Sequence, residues 1–196
     1  RGGNLIGQRV PCVLHQLGQG FPHRFGQEVH PLHRSGQVSA GLRQGGEVCF
    51  PGGRAEPGES IIDCALRETA EELSIPSSEV SLLGTPDFIC NQRGFLLHPV
   101  LGVVSPAGLE SMRPSPAEVA EVFTVPLSFF RATKPELYHY DLFPQVPDSF
   151  PYEAVGIPRD YSWASGNVEV PVWHWDGHPV WGMTARLVRD LISTFS

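Results

Sequence analysis

The chain has 196 residues, 41% of them apolar, with 21 acidic against 14 basic side chains and a formal net charge of −7. This is enough apolar material for one buried core, and the negative balance argues against a nucleic-acid backbone as the main partner, because such binding draws on clustered cations. No run of about 18 apolar residues offers a membrane span, and the four cysteines (Cys12, Cys49, Cys64, Cys90) form no Cys-x-x-Cys pair, so a reducing, cytoplasmic setting is expected.

The charge is unevenly spread. Residues 1 to 46 carry five Arg and a single acid, Glu28, for a balance of +4, which leaves −11 for the remainder. That stretch is crowded with Gly, Gln and His, and only Val10 to Leu17 and Val29 to Leu32 read as short strands. From Glu47 onward the pattern is that of an ordinary globular protein. Glu47 to Phe50 predicts a strand running into the turn Pro51-Gly52-Gly53. A helix follows from about Ser60 to Leu73, with Ile62, Leu66, Thr69 and Leu73 on one face and Ala65 beside them, and it stops before Pro76. Strands are predicted near Val80 to Leu83, Phe88 to Cys90, Phe95 to Val104 and Val119 to Val125. Pro126 to Tyr161, rich in Pro and aromatics, reads as loop with one helical turn at most, either a substrate lid or a surface excursion. Val168 to Trp175 and His178 to Trp181 flank Asp176-Gly177, a strong hairpin signal. The last element, Met183 to Phe195, aligns Met183, Leu187, Leu191, Ile192 and Phe195 on one helical face.

The chemistry concentrates on the first of these helices. At about 100° per residue, Glu71 and Glu72 lie roughly 60° and 40° to either side of Glu68, so the three carboxylates share one face, roughly 120° around from the apolar stripe. Convergent carboxylates repel unless a cation lies between them, and oxygen-only ligands select hard ions such as Mg²⁺ or Mn²⁺. A solvated acidic face is the plainer meaning of a glutamate-rich helix, and these three residues alone do not decide between the two.

The surrounding pattern does. Gly53, five residues, Glu59, seven residues, then Arg67-Glu68-Thr69-Ala70-Glu71-Glu72-Leu73-Ser74-Ile75 resembles the signature of the Nudix hydrolases. The Gly, the Arg and four Glu at this spacing arise by chance with a probability on the order of 10⁻⁷ to 10⁻⁸ per start position at average residue usage. One position departs: Ser74 stands where the family usually has the Gly that ends the helix. The resemblance implies an α/β fold, an α/β/α sandwich with a mixed central sheet, and hydrolysis of a nucleoside diphosphate linked to another moiety. It implies Mg²⁺ or Mn²⁺ held by Glu68, Glu71 and Glu72, with the Gly53 carbonyl as a further ligand. It also implies that Glu59 and Arg67 form the pair that holds loop to helix. A carboxylate outside the metal's immediate ligands takes the proton of the attacking water; Glu118 and Glu121, in Ser115-Pro116-Ala117-Glu118-Val119-Ala120-Glu121, are the candidates.

A narrower resemblance surrounds the signature. Leu42-Arg43-Gln44-Gly45-Gly46-Glu47-Val48-Cys49-Phe50-Pro51-Gly52-Gly53 is similar to the segment before the signature in coenzyme A pyrophosphatases, as are Pro116 to Leu127 and Trp181-Gly182-Met183-Thr184-Ala185. These enzymes cut coenzyme A or its derivatives into 3′,5′-ADP and 4′-phosphopantetheine or its acylated form. The likeness makes Arg43, with Gly52 and Gly53, a candidate contact for substrate phosphate; a solvated arginine beside a Gly-rich turn is the alternative for Arg43. The subfamily has an Arg-Ser pair shortly before Leu42, where this chain reads Val38-Ser39, and Arg34-Ser35 lies four residues too early. Residues 1 to 38 are therefore expected to be an atypical segment whose first strands are degraded or replaced, as by a shifted reading frame, with the Nudix domain over 39 to 196. The competing functional readings are a Nudix hydrolase of ADP-ribose or another nucleotide sugar, and a binding module without turnover. The two histidines of Trp173-His174-Trp175-Asp176-Gly177-His178 are expected on the surface, and Cys64 is expected to be a packed thiol.

Overall fold

The computed structural model describes the backbone of residues 8–16 and 29–35 and the whole of residues 47–91 and 96–194. Two strands come first, β1 (Gln8–Gln16) and β2 (Val29–Ser35), close to the short strands expected over Val10 to Leu17 and Val29 to Leu32. They are followed by β3 (Val48–Cys49), β4 (Gly52–Arg54), helix α1 (Ile61–Leu73), β5 (Val80–Gly84), β6 (Ile89–Cys90), β7 (Leu96–Leu97) and β8 (Val100–Val104). The chain then runs through α2 (Pro106–Ser111), β9 (Val119–Pro126), α3 (Leu127–Ala132), β10 (Glu136–Leu142), β11 (Gly166–Trp175), β12 (His178–Trp181) and α4 (Gly182–Thr194).

The largest sheet has the order β5-β8-β1-β7-β6, with β4 also paired to β1. It is mixed: β1 runs parallel to β7 and β8, and the other pairs are antiparallel. Two three-stranded sheets, β3-β2-β9 and β10-β11-β12, complete the strands. The run Val100-Leu101-Gly102-Val103-Val104 explains how the layers stack. All five residues of β8 are buried, as a continuous apolar run predicts for a strand covered on both faces. Val100 and Val104 join Cys64, Ala65 and Leu73 of α1 in one core cluster, whereas Leu101 joins Val180, Ala185, Leu187 and Val188 of the C-terminal hairpin and helix in the other. Helix α1 and helix α4 thus cover different cores that meet at β8. The expected hairpin forms around Asp176 and Gly177, both at positive φ, and pairs Trp175 with His178.

The structure departs from the sequence reading in four places. The expected turn Pro51-Gly52-Gly53 gives way to strand: Gly52 and Gly53 open β4, pair with Pro11 and Val10 of β1, and neither has a positive φ. The predicted strand Phe95 to Val104 divides into β7 and β8, with His98-Pro99 between them, because proline brings no N–H to a ladder. The stretch read as loop from Pro126 holds both α3 and the seven-residue strand β10; Pro135 and Pro144 bracket that strand, and every residue in it is exposed, so no buried face announces it. The apolar stripe of α1 is also rotated from expectation. Its buried arc is Cys64, Ala65, Glu68, Thr69, Glu72 and Leu73, while Ile62 is 37% exposed. The reason lies in β4, which packs on this helix: Gly52 and Gly53 offer no side chains to fill the gap, and long glutamates fill it instead.

Candidate active site

Helix α1 starts at Ser60, whose side chain accepts from the Asp63 N–H at 3.1 Å and donates to Asp63 Oδ2 at 2.6 Å, a local cap with an acid in the first turn. It ends at Ser74 in the left-handed region, φ 58°, where the N–H of Ser74 reaches Ala70 O at 3.0 Å. Three further bonds tie down this end. Ser74 Oγ donates to Arg113 O at 2.8 Å, Arg113 N–H to Leu73 O at 2.9 Å and Ser115 N–H to Glu72 O at 2.8 Å. The last carbonyls of the helix, which have no partner within it, are thus satisfied by the segment that leads into β9. Ser74 completes the stop that a glycine makes elsewhere, with its hydroxyl adding a bond glycine cannot make.

Glu68 and Glu72 are 8% and 2% exposed, an uncommon state for carboxylates. The Glu68 carboxylate lies directly over Gly53, so close that a Cβ at that position would collide with it. Glu72 Oε2 accepts from the Gly52 N–H at 3.4 Å. Burial pushes the pKa of Glu68 up, against the lowering effect of Arg67. Glu71 differs: its side chain is 57% exposed and turns toward Arg67. The structure therefore brings Glu68 and Glu72 together against the two glycines of β4 and leaves Glu71 outside, linked through an arginine.

Arg67 organises the surroundings. Its Nε and Nη2 donate to the two oxygens of Glu59 at 2.8 and 3.0 Å, the bidentate geometry that makes arginine–carboxylate pairs strong. Its Nη1 donates to Glu68 Oε1 at 2.9 Å and Glu71 Oε2 at 3.1 Å, and Nη2 reaches Arg54 O at 3.3 Å. Glu59 also accepts from the Glu56 N–H at 2.8 Å. These donors, Arg67 first, hold the Glu59 carboxyl down at about 2, and the bond to Glu59 raises Arg67 in turn. Cys64 is fully buried beside them, its thiol pushed up to about 12 chiefly by burial. It is the packed thiol that the sequence suggested.

The Gly53 carbonyl and the carboxylates of Glu68 and Glu72 are all oxygen donors, beside a strand whose glycines put no side chain in the way, which suits a hard divalent ion. Among the described residues no three His, Cys, Asp or Glu side chains already stand as a metal cluster, in keeping with the outward turn of Glu71. The two candidate proton acceptors are separated. Glu118 is half-buried in the turn closed by its own N–H to Ser115 O at 3.1 Å, next to the end of α1. Glu121 lies on β9, with His178 Nε2 3.1 Å from its Oε1. His178 is less open than expected, since its ring stacks on Phe123 with centroids 3.9 Å apart; His174 lies on the surface as expected, 62% exposed at its side chain, with Nε2 4.0 Å from Glu136 Oε1. The Asp176-Gly177 turn was the signal for this contact, because it sets the register that brings His178 back toward β9. Arg43 lies outside the described residues, as does the expected boundary near residue 38.

The NUDIX domain model matches residues 26–146, more than half of the sequence. The chain belongs to the Nudix family. It is 37% identical over 155 residues to the uncharacterized Nudix hydrolase NudL of Photorhabdus laumondii, covering 78% of this chain and 71% of that protein. With the NudL of Citrobacter koseri it shares 33% over 157 residues, 79% of this chain and 70% of the relative. A shorter match, 42% over 84 residues, joins 42% of this chain to 35% of Nudix hydrolase 3 of Caenorhabditis elegans. Among solved structures, an Ap4A hydrolase binary complex from C. elegans superposes with a TM-score of 0.47 at 16% identity, over 61% of this chain and 80% of that one. This Nudix protein is a pyrophosphohydrolase of the α/β Nudix fold, from a family that generally works with divalent metal ions.

Two predictions follow from this geometry. The Glu59 carboxyl titrates lower in the folded protein than its ordinary value of 4.5, so it stabilises the fold fully above that pH and loses the contribution as pH falls toward about 2. Urea unfolding of wild type and Glu59→Gln at a series of pH values should give a gap that is widest above pH 4.5 and narrows on acidification; a gap independent of pH would contradict the pairing. Gly53→Ala should displace the Glu68 carboxylate and lower turnover by about 100-fold, with an unchanged circular dichroism spectrum.

Proposed function

We propose that this protein hydrolyses the diphosphate linkage of coenzyme A or its derivatives, with Mg²⁺ or Mn²⁺, to 3′,5′-ADP and 4′-phosphopantetheine. The observation that carries the reading is the run Leu42 to Gly53, the coenzyme A pyrophosphatase-like segment, whose closing Gly52-Gly53 meets the buried Glu68 and Glu72. When bound, the divalent ion neutralises the diphosphate oxygens and lowers the pKa of the attacking water. Glu68, Glu72 and the Gly53 carbonyl would hold it, and Glu71 would be a further ligand once released from Arg67. Arg67 keeps Glu59, so the loop from Arg54 to Glu59 stays fixed to α1 whichever way Glu71 faces. Gly52 and Gly53, with Arg43, admit and contact the phosphates.

Glu118 takes the proton of the attacking water as the new P–O bond forms and the bridging P–O bond breaks. It stands in the turn fastened to α1, whereas Glu121 is already engaged by His178 on the side of the C-terminal hairpin. Glu118→Gln should therefore lower kcat on the order of 100-fold, and Glu121→Gln much less. The reverse order in steady-state kinetics would transfer the role to Glu121.

The substrate is tested by incubating coenzyme A, ADP-ribose and NADH separately with Mg²⁺ and identifying products by mass. Coenzyme A should yield the two named products fastest. Preferential cleavage of ADP-ribose would replace the assignment, and no turnover of any of them while Mg²⁺ still raises Tm would mark a binding module. Glu72→Gln should retain the fold and lose on the order of 100-fold or more in rate; near-native activity would overturn the metal site.

A further inference from the structure

Strand β10 ends its sheet, in the order β10-β11-β12, so one of its edges has no partner strand among the described residues. It pairs with β11 over seven consecutive residues without a register shift, and all seven of its residues are exposed. The sequence is not that of a solvated edge. Leu137, Tyr138, Tyr140, Leu142 and the adjoining Phe143 are 51, 55, 47, 37 and 73% exposed, on the order of 500 Å² of side chain per copy. Lys134, Pro135 and Pro144 lie outside the strand, and no bulge, proline or lysine blunts it within.

Alternation puts Tyr138, Tyr140 and Leu142 on one face of β10 and Leu137 and Phe143 on the other. A body laid on one face would cover only half of this surface. A strand added at the edge brings cross-strand neighbours to both.

We propose that β10 pairs antiparallel with β10 of a second copy, joining two three-stranded sheets into one of six. Centred on His139, this register sets Tyr138 against Tyr140 of the second copy twice over, Leu142 against Glu136 and Leu137 against Asp141. No carboxylate faces a carboxylate, and Asp141 falls diagonal to His139 of the second copy on their shared face. The exposed side chains of two such patches sum to about 1,000 Å², of which edge pairing covers a part, so the buried area falls below that of a stable interface and the dimer is weak and concentration-dependent. The inference is independent of the substrate, because β10 belongs to a different sheet from β4 and carries none of the residues proposed for the metal or the substrate.

Analytical ultracentrifugation of the full chain from about 5 to 500 µM should show a monomer–dimer equilibrium. The double variant Tyr138→Lys/Tyr140→Lys should raise its dissociation constant by about tenfold or more, with the monomer's hydrolytic rate unchanged. The register has its own test. Opposed residues have Cα atoms about 4.5–5.5 Å apart, within disulfide reach. His139→Cys in a Cys90→Ser background should therefore cross-link into a covalent dimer under mild oxidation, while Val155→Cys, as exposed but off the strand, should not. A wild type that stays monomeric throughout, or equal cross-linking of the two cysteine variants, would overturn the proposal, as would a dimer indifferent to the lysines.

Discussion

Two glutamates buried against a strand of glycines set the constraint on which the rest of the structure depends. A carboxylate at 2% or 8% exposure is costly unless something compensates it, and the fold supplies that compensation locally. Glu72 has the Gly52 N–H, and Glu68 has the Arg67 guanidinium. Arg67 is itself fixed by both oxygens of Glu59, so the loop between β4 and α1 carries the charge that lets the helix turn its acids inward. Removing the side chain at position 53 makes the approach sterically feasible. The same arrangement leaves Glu71 outside, with its charge shared by Arg67 and water.

The far end of the helix is held by different means. Ser74 accepts a left-handed conformation that disfavours any side chain, and its hydroxyl joins the segment carrying Arg113 and Ser115. That segment leads into β9, so the turn holding Glu118 and the strand bearing Glu121 are positioned by the helix bearing Glu68 and Glu72. The C-terminal hairpin and helix α4 complete the frame, since Trp173 donates to Thr133 O at 2.8 Å, Trp175 to Thr124 O at 3.0 Å and Thr184 of α4 to Val48 O at 2.9 Å.

Much of this was readable in the sequence, for identifiable reasons. The helix and its glutamates follow from fixed spacing around Gly53 and Arg67, and the hairpin follows from Asp176-Gly177. Strand β8 was visible as an apolar run, though its separation from β7 needed the weight of Pro99. What escaped lay in tertiary context. A helical wheel cannot know that its neighbour is two glycines, so the buried arc of α1 was misplaced by part of a turn. Strand β10 has no buried face, so it lacks the contrast on which periodicity depends. The bonds from Arg113 and Ser115 to α1 link residues about 40 positions apart, and the pairing of His178 with Glu121 spans 57.

The two-sided burial of β8 carries a mechanical implication. One five-residue strand gives Val100 and Val104 to the layer under α1 and Leu101 to the layer under α4. Neither layer can open independently, since withdrawing the strand from one removes the wall of the other. Loosening at the C-terminal helix would therefore be transmitted to the seat of α1, and the two halves of the molecule should melt as one cooperative unit.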